Sequence, residues 1–479
     1  MLPPLTTDIA LLVLAFAILS VDLLRCQKTF DHLTFHLAWV GMITILGMSF
    51  FTLPSDVVYL GTWMVTPLGL WWRRAFLLSS LFAILLSKSY FSRGGDQKEK
   101  LKSSSEFFAS LLFINFGMHT VVSGSDLLTI FIGLELATIP LYFLSAWRKN
   151  DHAGLEAATK YIIMGGAATA FMLFSISYMY GVCGSLQLDK LSLIVIAQPQ
   201  NPLLWLAFIL LLAGVGFKLT LFPFHMWAPD VYHGAPTPTT AFLSVSSKSV
   251  AMAFLMIMVF GPFAPLGPKI QVLLLILAGF TMTLGNLGAM KQSHLRRFMA
   301  YSSIAQAGYI LMALSGPRAS AWTAVIYYVF LYGITNYATF FIISIVGEKR
   351  GEEISSLRGL SKSNPMLAGA LSLCMFSLAG IPPVAGFTGK MFLFASTAES
   401  GYYAFVVFAA LNSTVSLYYY LTILKEAYIA KADDGQNLIV VQSDWLQKIC
   451  LSALVLGVLL LGLLPHLSSA ISLAVLGAK

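Results

Sequence analysis

Charge is what this chain has least of. Only 10% of its 479 residues are Asp, Glu, Lys or Arg, against about 25% in a soluble domain. Such a chain cannot cover itself in water, which excludes an ordinary globular enzyme. Cysteine is scarce too. The four, Cys26, Cys183, Cys374 and Cys450, show no CxxC spacing, so neither a metal site nor a disulfide framework is indicated. There is no GxxxxGK[ST] loop, no GxGxxG behind a strand and no CxxCH, which removes the nucleotide, dinucleotide and haem chemistries those motifs carry. No Lys or Arg precedes the first apolar run, so that run does not read as a cleavable signal. Arg25 just before Cys26 argues against a lipoprotein cleavage site.

Apolar residues are abundant, at 58%. A bilayer-crossing helix needs about 20 of them. The sequence therefore predicts an all-α polytopic membrane protein with about fourteen spans, near 8–24, 33–53, 68–88, 106–123, 126–147, 158–181, 202–222, 236–260, 270–290, 299–315, 320–347, 366–395, 401–424 and 448–475. The longest connections are 89–105, 182–201, 348–365 and 425–447, none long enough for a separate soluble domain. On this reading a three-helix segment (1–105) precedes two five-span blocks (106–260 and 270–430) and a last helix (431–479). The +8 net charge is not a nucleic-acid signal, because the basic residues are scattered between apolar runs. It reports topology. With the N-terminus outside, nineteen Lys and Arg fall on inside connections and six on outside ones, Arg73 and Arg74 among the six. That bias supports an even span count.

Charges inside spans cost about 2.5–3.5 kcal/mol each, so the exceptions are informative. Lys218 follows the apolar run from Leu203, and Pro223 five residues later withholds a hydrogen bond from the carbonyl of Leu219. Glu135 stands in the fifth span with Pro140 at the same offset, freeing the carbonyl of Leu136. Lys248 is flanked by Ser244, Ser247 and Ser249, with Ser244 at i−4 on its own face. Lys390 follows Pro382 and Pro383, which free the carbonyls of Leu378 and Ala379. Lys218 and Lys390 lie in broken helices five spans apart, which cross in opposite senses. That pattern predicts two inverted repeats, spans 4–8 and 9–13.

An amine shifts its proton affinity with burial and with nearby carboxylates, so a row Glu135, Lys218, Lys248 and Lys390 reads as a proton relay. An ion pair tying two helices is the structural alternative for Glu135 and Lys218. Lys160 at the inner end of span six is either a snorkelling anchor or a group at a channel mouth. His225, with His233 and Asp230, lies in the inner connection after Pro223, either passing protons or shaping a proline-rich turn. His294, beside Arg296 and Arg297, reads as incidental on a solvated edge, and Asp22 and Asp126 sit at span ends where charge is cheap. Nothing in the chain supplies the energy to move a proton, so the driver is a partner.

Four segments carry a resemblance: Gly214–Pro238, Lys160–Gly166, Ala300–Tyr309 and Ala379–Lys390. They resemble the proton-translocating, antiporter-like subunits of respiratory complex I, over nearly the whole chain. The lysine on the twelfth span and Phe-Pro-Phe-His-Met-Trp-Ala-Pro-Asp from Phe222 fit one of these subunits better than its larger relatives. The resemblance implies a fourteen-helix fold with inverted repeats in a cell inner membrane. It implies that Glu135 tunes Lys218, that Lys218 is the first carrier, Lys248 the central relay and Lys390 the donor to the outside. Lys160 would lie near the inner mouth. NADH, FMN, iron–sulfur clusters and quinone would belong to partner subunits, with no cofactor and no metal held by this chain. Its partners would be a neighbouring antiporter-like subunit, small membrane subunits and lipid, with both termini on the outer side. Many relatives have His where this chain has Gln306, which hydrogen-bonds but carries no proton. The relay there would run through water. A homologous subunit of a multi-subunit cation/proton antiporter or a membrane-bound hydrogenase would use the same lysines. A self-contained transporter of an organic solute would need a polar midplane cluster, which the sequence does not show.

Overall fold

The computed structural model describes residues 2–25, 32–59, 61–92, 104–147, 151–430, 444–464 and 466–477. Cys26 and the basic residues at 28, 93, 98, 100, 102, 148, 149, 431 and 479 lie outside the described residues. Among the described ones, twelve helices are long and apolar enough to cross a membrane. Two expected spans differ from the rest. The one near 299–315 is made polar by Arg296, Arg297 and Gln306, and the one near 366–395 is two helices of 15 residues each.

The chain forms two compact units. The first comprises Met1–Leu219, Gly234–Lys269 and Ala474–Lys479. It opens with α1 (Thr6–Arg25) and α2 (His32–Phe51), followed by a hairpin of β1 (Ser55–Tyr59) and β2 (Trp63–Val65). The strands pair antiparallel, Ser55 opposite Val65 and Tyr59 opposite Trp63. This small hairpin is an addition to the all-α fold that the sequence predicts. The β-branched and aromatic run Val57-Val58-Tyr59 favours strand, and Gly61 takes φ +74° in the turn. There follow α3 (Pro67–Ser92), α4 (Ser104–Ser123), α5 (Leu127–Ser145), α6 (His152–Cys183), α7 (Leu188–Ala197) and α8 (Pro202–Leu219). The short α7 lies within a segment expected to be a plain connection. After α9 (Trp227–Gly234), the unit resumes with α10 (Thr237–Phe242), a π-helical turn (Leu243–Ser247) and α11 (Lys248–Phe260).

Helices α4 and α5 approach closely because glycines face each other. A Cβ on Gly117 would lie 2.8 Å from the carbonyl oxygen of Gly133 and 2.7 Å from the nitrogen of Ala137. Membrane helices gain packing this way, since lipid gives them little hydrophobic reason to associate. The close contact fixes the face of α5 that carries Glu135.

The second unit comprises Thr220–His233 and Ile270–Leu473. It contains most of α9 and of α12 (Gly267–Ala289), all of α13 (Leu295–Met312), α14 (Arg318–Arg350), α15 (Leu360–Ser363), α16 (Pro365–Ala379), α17 (Ala385–Glu399), α18 (Tyr403–Tyr428) and α19 (Trp445–Leu463), and the first part of α20 (His466–Gly477). The break between α16 and α17 is tight: a Cβ on Gly386 would sit 1.6 Å from the carbonyl oxygen of Ser377. Gly380 at the end of α16 takes φ +87°, and Thr220 after α8 takes φ +58°. Asp126 is cheap at its position because it caps α5, accepting from the nitrogens of Leu128 and Thr129.

Candidate functional site

In the first unit, Lys218 in the last turn of α8 and Glu135 on α5 meet. Nζ lies 3.3 Å from Oε1, with the lysine side chain 3% and the glutamate 15% exposed. Lys218 also donates to Thr138 Oγ1 at 2.7 Å. Thr138 spends its own proton on the carbonyl of Leu134, so toward the lysine it only accepts. Thr169 Oγ1 on α6 donates to the same Glu135 oxygen at 3.1 Å. Three helices thus supply the surroundings of one buried ion pair. Pro140 does not break α5, which runs on to Ser145. Neighbouring helices let a membrane helix absorb a proline, so the expected break beside Glu135 is absent.

Lys248 is buried at the start of α11. The π turn before it widens the helix, and such bulges concentrate at functional sites. Ser244 stands in that turn, four residues before Lys248. Ser244 and Ser249 donate to the carbonyls of Ala241 and Val245, leaving only acceptor capacity toward an amine or water. Ser246 is hydrogen-bonded to Ser79 on α3. Lys160 does not join this group. It pairs with Glu156 one turn away at 2.8 Å, both side chains well exposed.

In the second unit, Lys390 on α17 is 3% exposed. It donates to the carbonyl of Ala379 at 2.8 Å and to Ser413 Oγ on α18 at 2.9 Å. Its ammonium lies 4.8 Å from the centre of the Tyr309 ring, a cation–π distance. Of the two carbonyls that the proline pair frees, that of Ala379 binds the lysine. A cleft of about 230 Å³ reaches this amine, lined by Gly380, Phe387, Met391, Ser413 and Thr414 among others. Gln306 is fully buried in the same unit.

His225 is half-buried beside Phe222, with no hydrogen-bond partner at Nδ1 among the described residues. Burial lowers its pKa. His294 is not the incidental edge residue the sequence implies. Its ring meets that of His233 edge-to-face at 4.2 Å, near the Arg296–Glu352 and Arg297–Asp230 pairs. Burial, His233 and Arg296 push its pKa down to about 4.

One cluster escapes the sequence reading. Arg73 is not an outside-loop charge but lies within α3, 1% exposed, paired with Asp8 of α1 at 3.0 Å. It donates to Ser123 Oγ at 2.7 Å, and Asp8 meets His119 Nδ1 of α4 at 2.7 Å. The signal was that Asp8, Arg73 and His119 stand in three different apolar runs.

The family described as NADH:quinone oxidoreductase/Mrp antiporter, TM, matches residues 124–416. NADH-quinone oxidoreductase subunit N of Trichlorobacter lovleyi is 34% identical, covering 96% of this chain and 94% of the relative. The subunit N of Heliobacterium modesticaldum is 35% identical over 88% of each. Among solved structures, a chain of respiratory complex I from Thermus thermophilus with bound aureothin superposes with a TM-score of 0.79, at 30% identity, over 96% of this chain and 98% of that one. A chain of the Mrp complex from Dietzia sp. gives 0.84 at 19% identity, over 99% and 98%, a likeness of fold.

Proposed function

The chain belongs to the NADH:quinone oxidoreductase/Mrp antiporter family, and from that membership we propose how it works. It is a membrane-arm, proton-translocating subunit of an NADH–quinone oxidoreductase, assembled with the other membrane subunits of that complex. Glu135 and Lys218 form the first step. Lys218 takes up a proton on the inner side, where His225 lies on the uptake path and Lys160 at the mouth. Lys248 relays, and Lys390 releases toward the outside. The observation that carries this is the buried Glu135–Lys218 pair at 3.3 Å. Neither charge is tolerable alone in a membrane helix, so a change in one partner's proton must be answered nearby.

The two broken helices are read as halves of an inverted repeat. Thr220 and Gly380, both with positive φ, lie 160 positions apart, and each precedes a proline by three residues, Pro223 and Pro383. Moving a proton against about 100 mV needs about 2.3 kcal/mol. Redox chemistry in partner subunits supplies it, with NADH, FMN, iron–sulfur clusters and quinone bound there. The chain itself contributes the relay, not a redox centre, and sits in the cell inner membrane with both termini on the outer side. The Mrp likeness supports fold only, whereas the curated relatives at 32–39% identity are oxidoreductase subunits.

The test is proton pumping coupled to quinone reduction in membrane vesicles carrying Lys218→Ala or Lys390→Ala. Each normally assembled variant should lose pumping. Full pumping by either one would break the relay as drawn.

A further inference from the structure

Two consecutive carbonyls stand free at the end of α16, because Pro382 and Pro383 bring no N–H to them. Each has found a side-chain donor. Ala379 takes Lys390, and Leu378 takes Gln306 Nε2 at 3.1 Å. A carbonyl only accepts, which fixes the amide. Its nitrogen faces Leu378, and its oxygen faces Tyr328, whose hydroxyl donates to it at 2.5 Å. The second N–H reaches Tyr420 Oη at 3.3 Å, and Tyr420 meets Ser302 Oγ at 2.6 Å. Three residues further along α13, on the same face, Tyr309 sets its ring against Lys390. One face of α13 therefore holds both the break and its lysine.

We propose that Gln306 is a positioning residue for the Lys390 step. It holds the Leu378 carbonyl and the Tyr328 hydroxyl in fixed directions, so that the break keeps its shape whether or not Lys390 carries a proton. This rests on Lys390 being a proton carrier. An amide suits the task because it has no titrating proton, and its bonds persist when the lysine changes charge. It also has a fixed polarity: the oxygen never donates and the nitrogen never accepts. No proton passes along the Tyr328–Gln306–Tyr420 line. Lys390 exchanges its proton through Ser413 and the cleft instead.

The experiment follows pumping against pH in vesicles holding the whole complex. Gln306→Leu removes the bonds at similar volume and leaves Leu378 without its donor. The freed carbonyl then turns to the ammonium of Lys390. Pumping should fall by roughly threefold to tenfold, and the alkaline limb of its pH profile should move about one unit higher. Gln306→His donates from one ring nitrogen and accepts at the other, so it should recover most of the pumping. It should also add a titrating group that the glutamine lacks. Tyr328→Phe keeps the ring and should move the same limb in the same direction, which covers the case where the leucine variant does not assemble. An unmoved profile in assembled Gln306→Leu or in Tyr328→Phe overturns the proposal, and so does a histidine variant no better than the leucine one. Lys390→Ala measured alongside separates the two readings. Full pumping there removes the carrier role itself. Lost pumping there, with the other profiles unmoved, removes only the positioning role.

Discussion

Asp8, Arg73 and His119 show how differently buried charges are used within one unit. The Glu135–Lys218 pair keeps a few exposed atoms, whereas Arg73 and His119 are closed off and join α1, α3 and α4. Arg73→Leu leaves Asp8 buried without its cation, a loss of about 3–5 kcal/mol. The thermal denaturation temperature of the purified complex should fall, while pumping per assembled complex is kept. A second residue-scale outcome concerns His294. Its pKa is held down to about 4, against an ordinary value of 6.5, by burial first and then by His233 and Arg296. Above pH 6.5 the ring is neutral in both folded and unfolded chains. Between 6.5 and about 4 the unfolded chain binds a proton that the folded ring refuses, so stability falls as pH drops through that window. His294→Gln should flatten the denaturation temperature across that range. Lysines in apolar runs announce themselves in the sequence. Arg73 did not, because it stands near the start of its run and passes for a loop charge until Asp8 and Ser123 are seen around it.

At the scale of elements, prolines were legible and their effects only partly so. The Pro382–Pro383 pair frees two carbonyls, and both are found in use, one by Lys390 and one by Gln306. Pro140 stands at the same offset from Glu135 as Pro223 from Lys218, yet α5 stays whole. The difference is tertiary: α5 is clasped against α4 through Gly117 and Gly133, and local sequence does not record that support. The π turn before Lys248 is equally silent in the sequence, since serine-rich runs also form ordinary helix. Gly386 gives the sharpest outcome here. Its hydrogen occupies the only space beside the carbonyl of Ser377, so Gly386→Ala must push α17 off α16. Complex assembly, followed by native gel, should be lost, whereas Gly369→Ala on open helix surface should assemble.

Over the whole molecule, the apolar runs carried most of the fold. Twelve of the expected spans correspond to helices of membrane length, because length and hydropathy alone define them. The hairpin of β1 and β2 and the short α7 lie in connections between spans, where each apolar run is too brief for its periodicity to be read. Topology has its own outcome. Single cysteines placed in the cysteine-free background before Thr6 and at Lys479 should both be labelled by an impermeant maleimide from the outer side. Labelling of both from the inner side alone would reverse the charge-based orientation, and labelling of just one from there would break the even span count. The break between α16 and α17 also has an electrical side. A helix is a dipole, negative at its carbonyl end and positive at its amide end. The ammonium of Lys390 touches the last carbonyl of α16, and lysine side chains lean toward the start of their own helix, here α17. The two fields oppose each other at that amine. A charge in such a place is weakly biased by the backbone, and the membrane potential, worth about 2.3 kcal/mol per 100 mV across the full thickness, is large enough to tip it.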